Sequence, residues 1–391
     1  VPVRRHIAVA GAGIAGLTAG LALTKAGFEV TIFEQAPRLG EVGAGLQVSP
    51  NAWRVLEAVG VARAVEPVSV EPHAIRMRRG RDGRTIARVP LGAAAIDRWG
   101  APYRVVHRAD IQSALARSVT AAPNAELRLG ERVEGFRREG TRVSVATRTG
   151  TQEFDGLIGA DGLWSATRLQ ITGEAEPVYS GKVAWRATVP ATVLAGDIDP
   201  FETGLWLGRD AHLVHYAVRG GSEVNIVAIF ADHWSEPGWS AAGDRREVVA
   251  RFGAWSRLAR DIVAAPQSWL KWALADRPPL PRWGSGPVTL AGDAAHPMLP
   301  FIAQGAAMGM EDGLILARSL EATDDVASAF RLYENRRMRR TARVQRDARS
   351  NGEIYHLGGI AAAGRDAALG LLGPDRLMAR FDWLYGWGQQ T

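Results

Sequence analysis

The order of three glycine and aspartate motifs set far apart constrains this chain most: the turn Gly11 to Gly16, the run Gly159-Ala160-Asp161-Gly162, and the pair Gly292-Asp293. Around the first, His6 to Ala10 reads as a buried parallel strand and Ile14 to Ala26 as the helix that follows. Gly11 permits the tight bend, Gly13 lets the backbone approach a pyrophosphate, and Gly16 lets helix and strand pack closely. The helix start at Ile14, Ala15 and Gly16 then offers free N–H groups and a positive dipole end to phosphates. A second strand, Glu29 to Phe33, leads into Glu34, an acid placed for a ribose hydroxyl. A glycine-rich turn with no ligand would need none of these parts in register.

This turn does not by itself separate one dinucleotide from another, but the later motifs do. Phe154 to Ala160 reads as another buried strand, with Asp161 and Gly162 at its end and Ser165 and Arg168 just beyond. Pro287 to Ala291 repeats the arrangement, so Gly292 and Asp293 fall where an open parallel sheet holds its ligand. A carboxylate there accepts hydrogen bonds from a ribityl chain, which FAD has and NAD lacks. FAD, held tightly and non-covalently, is the cofactor this predicts. Gly305 and Ala306 then open a helix whose positive end would face the flavin and stabilise its anionic reduced form. The plainer role for Asp161 and Asp293 is helix capping, and two such caps alongside the first motif make that the weaker reading.

At this point the chain resembles the class A flavoprotein aromatic hydroxylases. The carrying segments are GAGIAG with Glu34, GAGLQVSPNA at 43–52, HRADIQSAL at 107–115, GADGLWSATR at 159–168, AWRATVP at 184–190, HLVHYAVRGG at 212–221 and GDAAHPMLPFIAQGAAMGMEDG at 292–313. Within the family it looks nearest to the salicylate hydroxylase and 3-hydroxybenzoate 6-hydroxylase group, which includes 6-hydroxynicotinate and urate hydroxylases. The resemblance implies FAD, NADH or NADPH as a transient electron donor, and insertion of one atom of dioxygen into a small hydroxylated aromatic or heteroaromatic acid by a flavin C4a-hydroperoxide. Such chemistry needs a base and a dry ring pocket. Two other enzymatic readings stay open, a hydroxylase of the 6-hydroxynicotinate or urate type and a FAD oxidase or dehydrogenase without oxygen insertion; a third is a FAD-bearing regulatory protein without turnover.

His212 and Tyr216 lie four apart on one predicted strand, hence on one face. They match the His and Tyr of the family's substrate strand, which implies His212 as base and Tyr216 as its positioning partner; His215 points the other way and reads as structural. By the same resemblance Gln304 lies near the substrate carboxylate or phenol, while Pro300 and Phe301 wall the ring pocket, Pro300 also lying against the flavin edge. The hydroxynicotinate type is expected to carry His where this chain has Phe301. Arg108 is expected to contact FAD, His296 to support the flavin, and Gly43, Ala44 and Gly45 to let the backbone pass the isoalloxazine. Arg186 either pairs with a substrate carboxylate or is structural. No second GxGxxG in strand-helix context marks a separate nicotinamide domain.

Composition sets the remaining bounds. With 391 residues, 47% hydrophobic and 23% charged, the chain can bury a large core. The absence of cysteine excludes disulfides and thiolate catalysis and suits the cytoplasm, and the eight histidines show no zinc-type spacing, so no metal is expected. No apolar stretch has membrane-spanning length, and the N-terminus runs directly into the first strand with no signal peptide in view. The net charge of +6 gathers in Arg331, Arg336, Arg337, Arg339, Arg340, Arg343, Arg346 and Arg349, read as the solvated face of a long helix rather than a nucleic-acid or membrane surface. The fold expected is α/β: a Rossmann-like FAD-binding domain (1–72, 103–175 and 281–350) with an inserted, mostly antiparallel substrate sheet (73–102 and 176–280) and a C-terminal helical segment (351–391). The insert holds a hairpin over Ala74 to Val89 and strands over Val183 to Val189, Gly204 to Leu207, Leu213 to Val218 and Val224 to Phe230. The aromatic end, Phe381 to Trp387, reads as core or as the contact of a homodimer.

Overall fold

The computed structural model describes residues 5–40, 45–173, 176–236 and 238–389. The runs His6–Ala10, Glu29–Glu34, Gly156–Gly159 and Val288–Leu290 are almost continuously buried, the pattern of a parallel sheet covered on both faces. With Ala125–Leu129 they form a five-stranded parallel sheet in the order Val288–Leu290, Gly156–Gly159, His6–Ala10, Glu29–Glu34, Ala125–Leu129. Its register pairs Ala10 with both Gly159 and Phe33, and Gly159 with Leu290. The carboxyl ends of these strands therefore emerge side by side, and motifs far apart in the chain meet at one edge.

One face of this sheet is covered by the helices Ile14–Lys25 and Gly305–Glu321. They approach closely because small residues meet: a methyl on Gly313 would lie 2.7 Å from the Ala19 nitrogen, and one on Gly309 would lie 2.8 Å from the Ala15 Cβ. The other face is covered by the antiparallel strands Val133–Glu139, Arg142–Thr147 and Gly150–Phe154, whose Val143, Val145 and Phe154 pack on Ala8, Ala10 and Phe33.

The second layer is an eight-stranded sheet ordered Ser240–Gly243, Trp269–Asp276, Val178–Pro190, Glu223–Ala231, Ala211–Val218, Glu202–Gly208, Ala74–Arg79, Thr85–Pro90. It is antiparallel except where Ala74–Arg79 runs parallel to Glu202–Gly208. The four strands expected in the insert all lie within it, and the hairpin turns between Arg79 and Arg84. One face buries Trp185, Trp206, Leu213 and Ile226 against the helices Arg245–Arg251 and Arg257–Ala264. The opposite face turns towards the parallel sheet, and the cofactor and ring pockets lie there.

The arginine-rich segment departs from its expected role. It forms the helix Val326–Tyr355, but Arg337 is 1% exposed between Glu311 and Asp312, and Arg340 bonds Glu311 and the carbonyl oxygens of Trp383 and Leu384. Arg349 pairs with Asp276 and Arg331 with Glu334, leaving Arg336, Arg339, Arg343 and Arg346 as the exposed ones. The physical reason is helical spacing: residues three and four apart share a face, and this face meets two buried carboxylates. The aromatic end packs within the chain. Tyr385 meets Trp99 edge-on at 5.0 Å, and Trp383 lies under the Arg343 guanidinium at 3.7 Å. Among the described residues no helix is long and apolar enough to cross a membrane.

Candidate active site

At the edge where the parallel strands end, each glycine of the first turn has a distinct neighbourhood. Gly11 has φ +99°, and a methyl there would lie 2.5 Å from the Ala160 carbonyl oxygen. A methyl on Gly16 would overlap the Gly11 carbonyl oxygen, whereas one on Gly13 would meet nothing within 4 Å. Gly13 faces open space, as a pyrophosphate site requires. Ile14 and Ala15 open the helix beside it, with the Ala15 methyl wedged against Gly292 and Gly309. Glu34 is held by N–H donors from Ala12 at 2.8 Å and Ala36 at 2.9 Å, which leaves further lone pairs for a ribose. A cleft of about 670 Å³ runs from here, lined by Gly11, Gly13, Glu34, Arg108, Asp161, Asp293 and Arg186. Six of the expected cofactor residues thus meet in one place, and Arg186 joins them.

The two aspartates prove different. Asp161 accepts from Ser165 Oγ at 2.5 Å and from the Thr167 N–H and hydroxyl at 3.0 Å, so its carboxylate caps the helix Ala166–Thr172. Its cleft-facing role is to shape the loop, the plainer of the two readings weighed for it. Asp293 receives no hydrogen bond from any described residue and lies exposed on the cleft floor, with Gly305 of the next helix close by. Surrounding protein raises its carboxyl above the usual range, against the pull of His296 and Arg108. A carboxylate with no partner among the described residues, beside a helix N-terminus and lining the same cleft as Glu34, fits the ribityl hydroxyls of FAD.

Behind Asp293 lies a buried polar network that the sequence did not disclose. Gly292 N–H donates to Asp312 Oδ2 at 2.9 Å, His296 Nε2 bonds the same oxygen at 2.5 Å, and Arg337 Nε donates to Asp312 Oδ1 at 2.7 Å. Burial works against ionisation, yet His296 and Arg337 hold the Asp312 carboxyl at about 2. Glu311 joins Arg337 to Asn51, and Asn51 donates to Gln304 Oε1 at 3.1 Å. The Gln304 amide donates in turn to Ser49 Oγ at 2.9 Å. Both ends of Gln304 are therefore bonded inside this network, where it fixes the entry to the helix Gly305–Glu321 and Ala306, instead of lining the cleft. His296 supports the glycine turn through Asp312.

The ring pocket is built on the strand Ala211–Val218. His212 and Tyr216 share a face, and the pairing of Val214 with Val227 and of Val227 with Arg186 sets Arg186 in the row between them. Opposite stands Phe301, in the turn begun by Pro300, with its ring 5.5 Å from that of His212. Ala184, Ile229, Leu274 and Leu299 complete an apolar cluster around it, and Leu274 also lines the cofactor cleft. Gly352 allows the fit, since a methyl there would lie 2.6 Å from the Phe301 ring. Burial raises the Tyr216 hydroxyl, so it stays a neutral donor. Arg186 lies 5.0 Å over the Trp272 ring, its Nε is buried with no partner among the described residues, and desolvation lowers its guanidinium. The close approach at Gly45 is made to the Tyr216 ring and to Asn225, whose Oδ1 accepts its N–H at 2.7 Å. Gly43 and Ala44 lie outside the described residues. His215 points away, packed over Gly204 and lowered to about 4 by burial. Sequence reasoning also missed His356, whose Nε2 lies 2.8 Å from His212 Nδ1; 144 positions separate the pair, and nothing local marks it.

Residues 4–348 match the family model described as a FAD binding domain. The chain is 37% identical over 388 residues to 3-hydroxybenzoate 6-hydroxylase of Polaromonas naphthalenivorans (strain CJ2), covering 99% of this chain and 97% of that protein. It is 38% identical over 388 residues to 3-amino-4-hydroxybenzoate 2-monooxygenase of Streptomyces cremeus, covering 97% and 95%. Among solved structures it superposes on a salicylate hydroxylase substrate complex with a TM-score of 0.85 and 25% identity, over 100% of this chain and 97% of that one. Sequence and fold thus agree along the full length, and the chain belongs to the class A FAD-dependent aromatic hydroxylases.

Proposed function

We propose that the protein is a single-component, NAD(P)H-dependent monooxygenase that hydroxylates a hydroxybenzoate, with 3-hydroxybenzoate as the first substrate to test. The observation that carries this reading is the placement of His212, Tyr216 and, two strands away, Arg186 on one sheet face, opposite Phe301, with Arg186 and Leu274 also lining the cofactor cleft. FAD, held by the Gly11–Gly16 turn, Glu34 and Asp293, supplies the activation of dioxygen when bound. The chain's own residues do the rest. Arg186, a half-buried guanidinium whose Nε has no partner among the described residues, suits a planar carboxylate. Tyr216 donates to the ring hydroxyl, and His212 takes its proton through Nε2, which has no hydrogen-bond partner among the described residues. Loss of that proton enriches the ring ortho and para to the oxygen, and the para carbon of 3-hydroxybenzoate is C6. Phe301, Leu299, Ile229 and Leu274 keep water out. Phe301 favours a benzene ring over the pyridine of a hydroxynicotinate, since it offers a ring nitrogen no partner. The cytoplasm, which supplies the nicotinamide donor, is the compartment this chemistry needs.

The test is NADH and NADPH oxidation by the flavin-loaded protein, with peroxide and products quantified, across salicylate, 3- and 4-hydroxybenzoate, 6-hydroxynicotinate and urate. Stimulated oxidation with a hydroxylated product from 3-hydroxybenzoate is expected. Peroxide alone with every ring would replace this reading with an oxidase.

A further inference from the structure

Six arginines meet in one place away from the cofactor. A cleft of about 920 Å³ is lined by Arg79, Arg81, Arg84, Arg209, Arg251 and Arg365, and it shares no lining residue with the cofactor cleft. It lies where the hairpin turn after Arg79, the turn Leu207 to Asp210 and the end of the helix Arg245–Arg251 face the helix Gly359–Ala379.

Only two carboxylates line this cleft, Asp210 and Asp366. Asp366 is already used, accepting from Arg79 Nε at 2.9 Å and from Arg365 Nη2 at 2.7 Å. Arg365 also donates to the Ile354 and Tyr355 carbonyl oxygens, so it is satisfied where it stands. Asp82 lies 3.1 Å from Arg79 and 3.6 Å from Arg81, and Asp210 lies 3.5 Å from Arg209. Arg84 and Arg251 are left over. The Arg84 guanidinium has no hydrogen bond or ion pair among the described residues, although its backbone N–H donates to Asp82. Arg251 reaches only the Asp210 carbonyl oxygen, at 3.2 Å, and the face of the Phe230 ring. With Asp82 counted, the six guanidiniums outnumber the carboxylates by three.

Like charges gathered on one concave surface raise the local potential and draw in anions. A monoanion leaves most of this surplus unmet. Two adjacent phosphoryl groups match it, and guanidinium forks bind phosphoryl oxygens in pairs. The helix Gly359–Ala379 begins at the cleft, so its positive end adds to the field of the arginines. We infer that this cleft is a second ligand site, which takes a small molecule carrying two or more phosphoryl groups, held by Arg84 and Arg251. Its position gives such a ligand a hold on the ring pocket. Asp210 at the cleft precedes His212 by two residues, and Leu357 at the cleft follows His356, whose ring bonds that of His212.

The experiment is a calorimetric titration of the flavin-loaded protein, in which FAD fills the cofactor cleft, with inorganic diphosphate and separately with ADP at low ionic strength. Saturable binding is expected. Arg84→Ala and Arg251→Ala, both at exposed positions, are each expected to weaken it about tenfold or more, with flavin occupancy unchanged. Arg132→Ala removes one charge from the cofactor cleft instead and is expected to leave the affinity as it is. Tighter binding of ADP assigns the ligand to nucleotides, and ADP binding no tighter than inorganic diphosphate assigns it to free diphosphate; the site stands in both cases. Equal weakening in all three variants overturns the inference, because a general positive field then holds the anion. Loss confined to Arg132→Ala moves the binding to the cofactor cleft and sinks the second site, as does the absence of saturable binding of either probe.

Discussion

The same added methyl group has opposite consequences at Gly13 and Gly16. Gly13 has φ −70°, which alanine adopts freely, and its missing Cβ faces open space. Gly13→Ala is therefore expected to leave apo-protein stability within about 0.5 kcal/mol of wild type and to weaken FAD binding, read by thermal unfolding and by flavin absorbance. Gly16→Ala collides with the Gly11 carbonyl and should cost about 1–3 kcal/mol of stability before any cofactor is added. Asp293→Ala removes an acceptor that nothing else on the cleft floor replaces. Each charged hydrogen bond lost is worth about 1.5–3 kcal/mol, so the variant should purify colourless. Full flavin occupancy would show that the ribityl chain is held elsewhere.

At the scale of elements, the helix Val326–Tyr355 acts as the strut behind the cofactor turn, because Arg337 ties it to Asp312 and Asp312 ties it to Gly292. Arg337→Ala takes away the one group that bridges the buried Glu311 and Asp312, leaving Glu311 with Arg340 and Asp312 with His296, and should cost about 3–5 kcal/mol, measured by denaturant unfolding. The same pair sets an acid limit. The Asp312 carboxyl is held at about 2 in the folded protein, below its value in the unfolded chain. Its contribution is fully present above the unfolded pKa and is lost as pH falls from about 4 towards about 2. Asp312→Asn should be less stable at neutral pH and show a flatter loss across that window. An unchanged slope would assign the acid sensitivity to other groups.

Over the whole molecule, the cofactor cleft is closed by parts of both sheets: Gly11, Glu34 and Asp161 on one side, Arg186, Trp272 and Leu274 on the other. A ligand spanning them should couple the two layers into one cooperative unit. Free FAD at a hundred times its dissociation constant is expected to stabilise the apo-protein by about 2.7 kcal/mol. Calorimetry should show one transition that moves up with FAD in the wild type and stays in place in Asp293→Ala. Two transitions, with only one moving, would mean that the layers unfold separately.

The sequence determined by itself whatever depends on neighbours in the chain. A strand, a turn with glycines at fixed offsets and a helix start form one local unit, so the Gly11–Gly16 site, Glu34 and the strands of the second sheet were legible from spacing and periodicity. His212 and Tyr216 were placed on one face by the period of a strand alone. What only the tertiary structure decided is how groups distant in the chain are matched. Asp161 and Asp293 follow similar strands, yet one is occupied by Ser165 and Thr167 while the other stays open to the cleft. Gln304 is taken up by Ser49 and Asn51, Arg337 by Glu311 and Asp312, and His212 by His356. Such pairs are made by burial, which forces each polar group to find whichever partner the packing brings within reach, and that partner leaves no periodic mark in the chain.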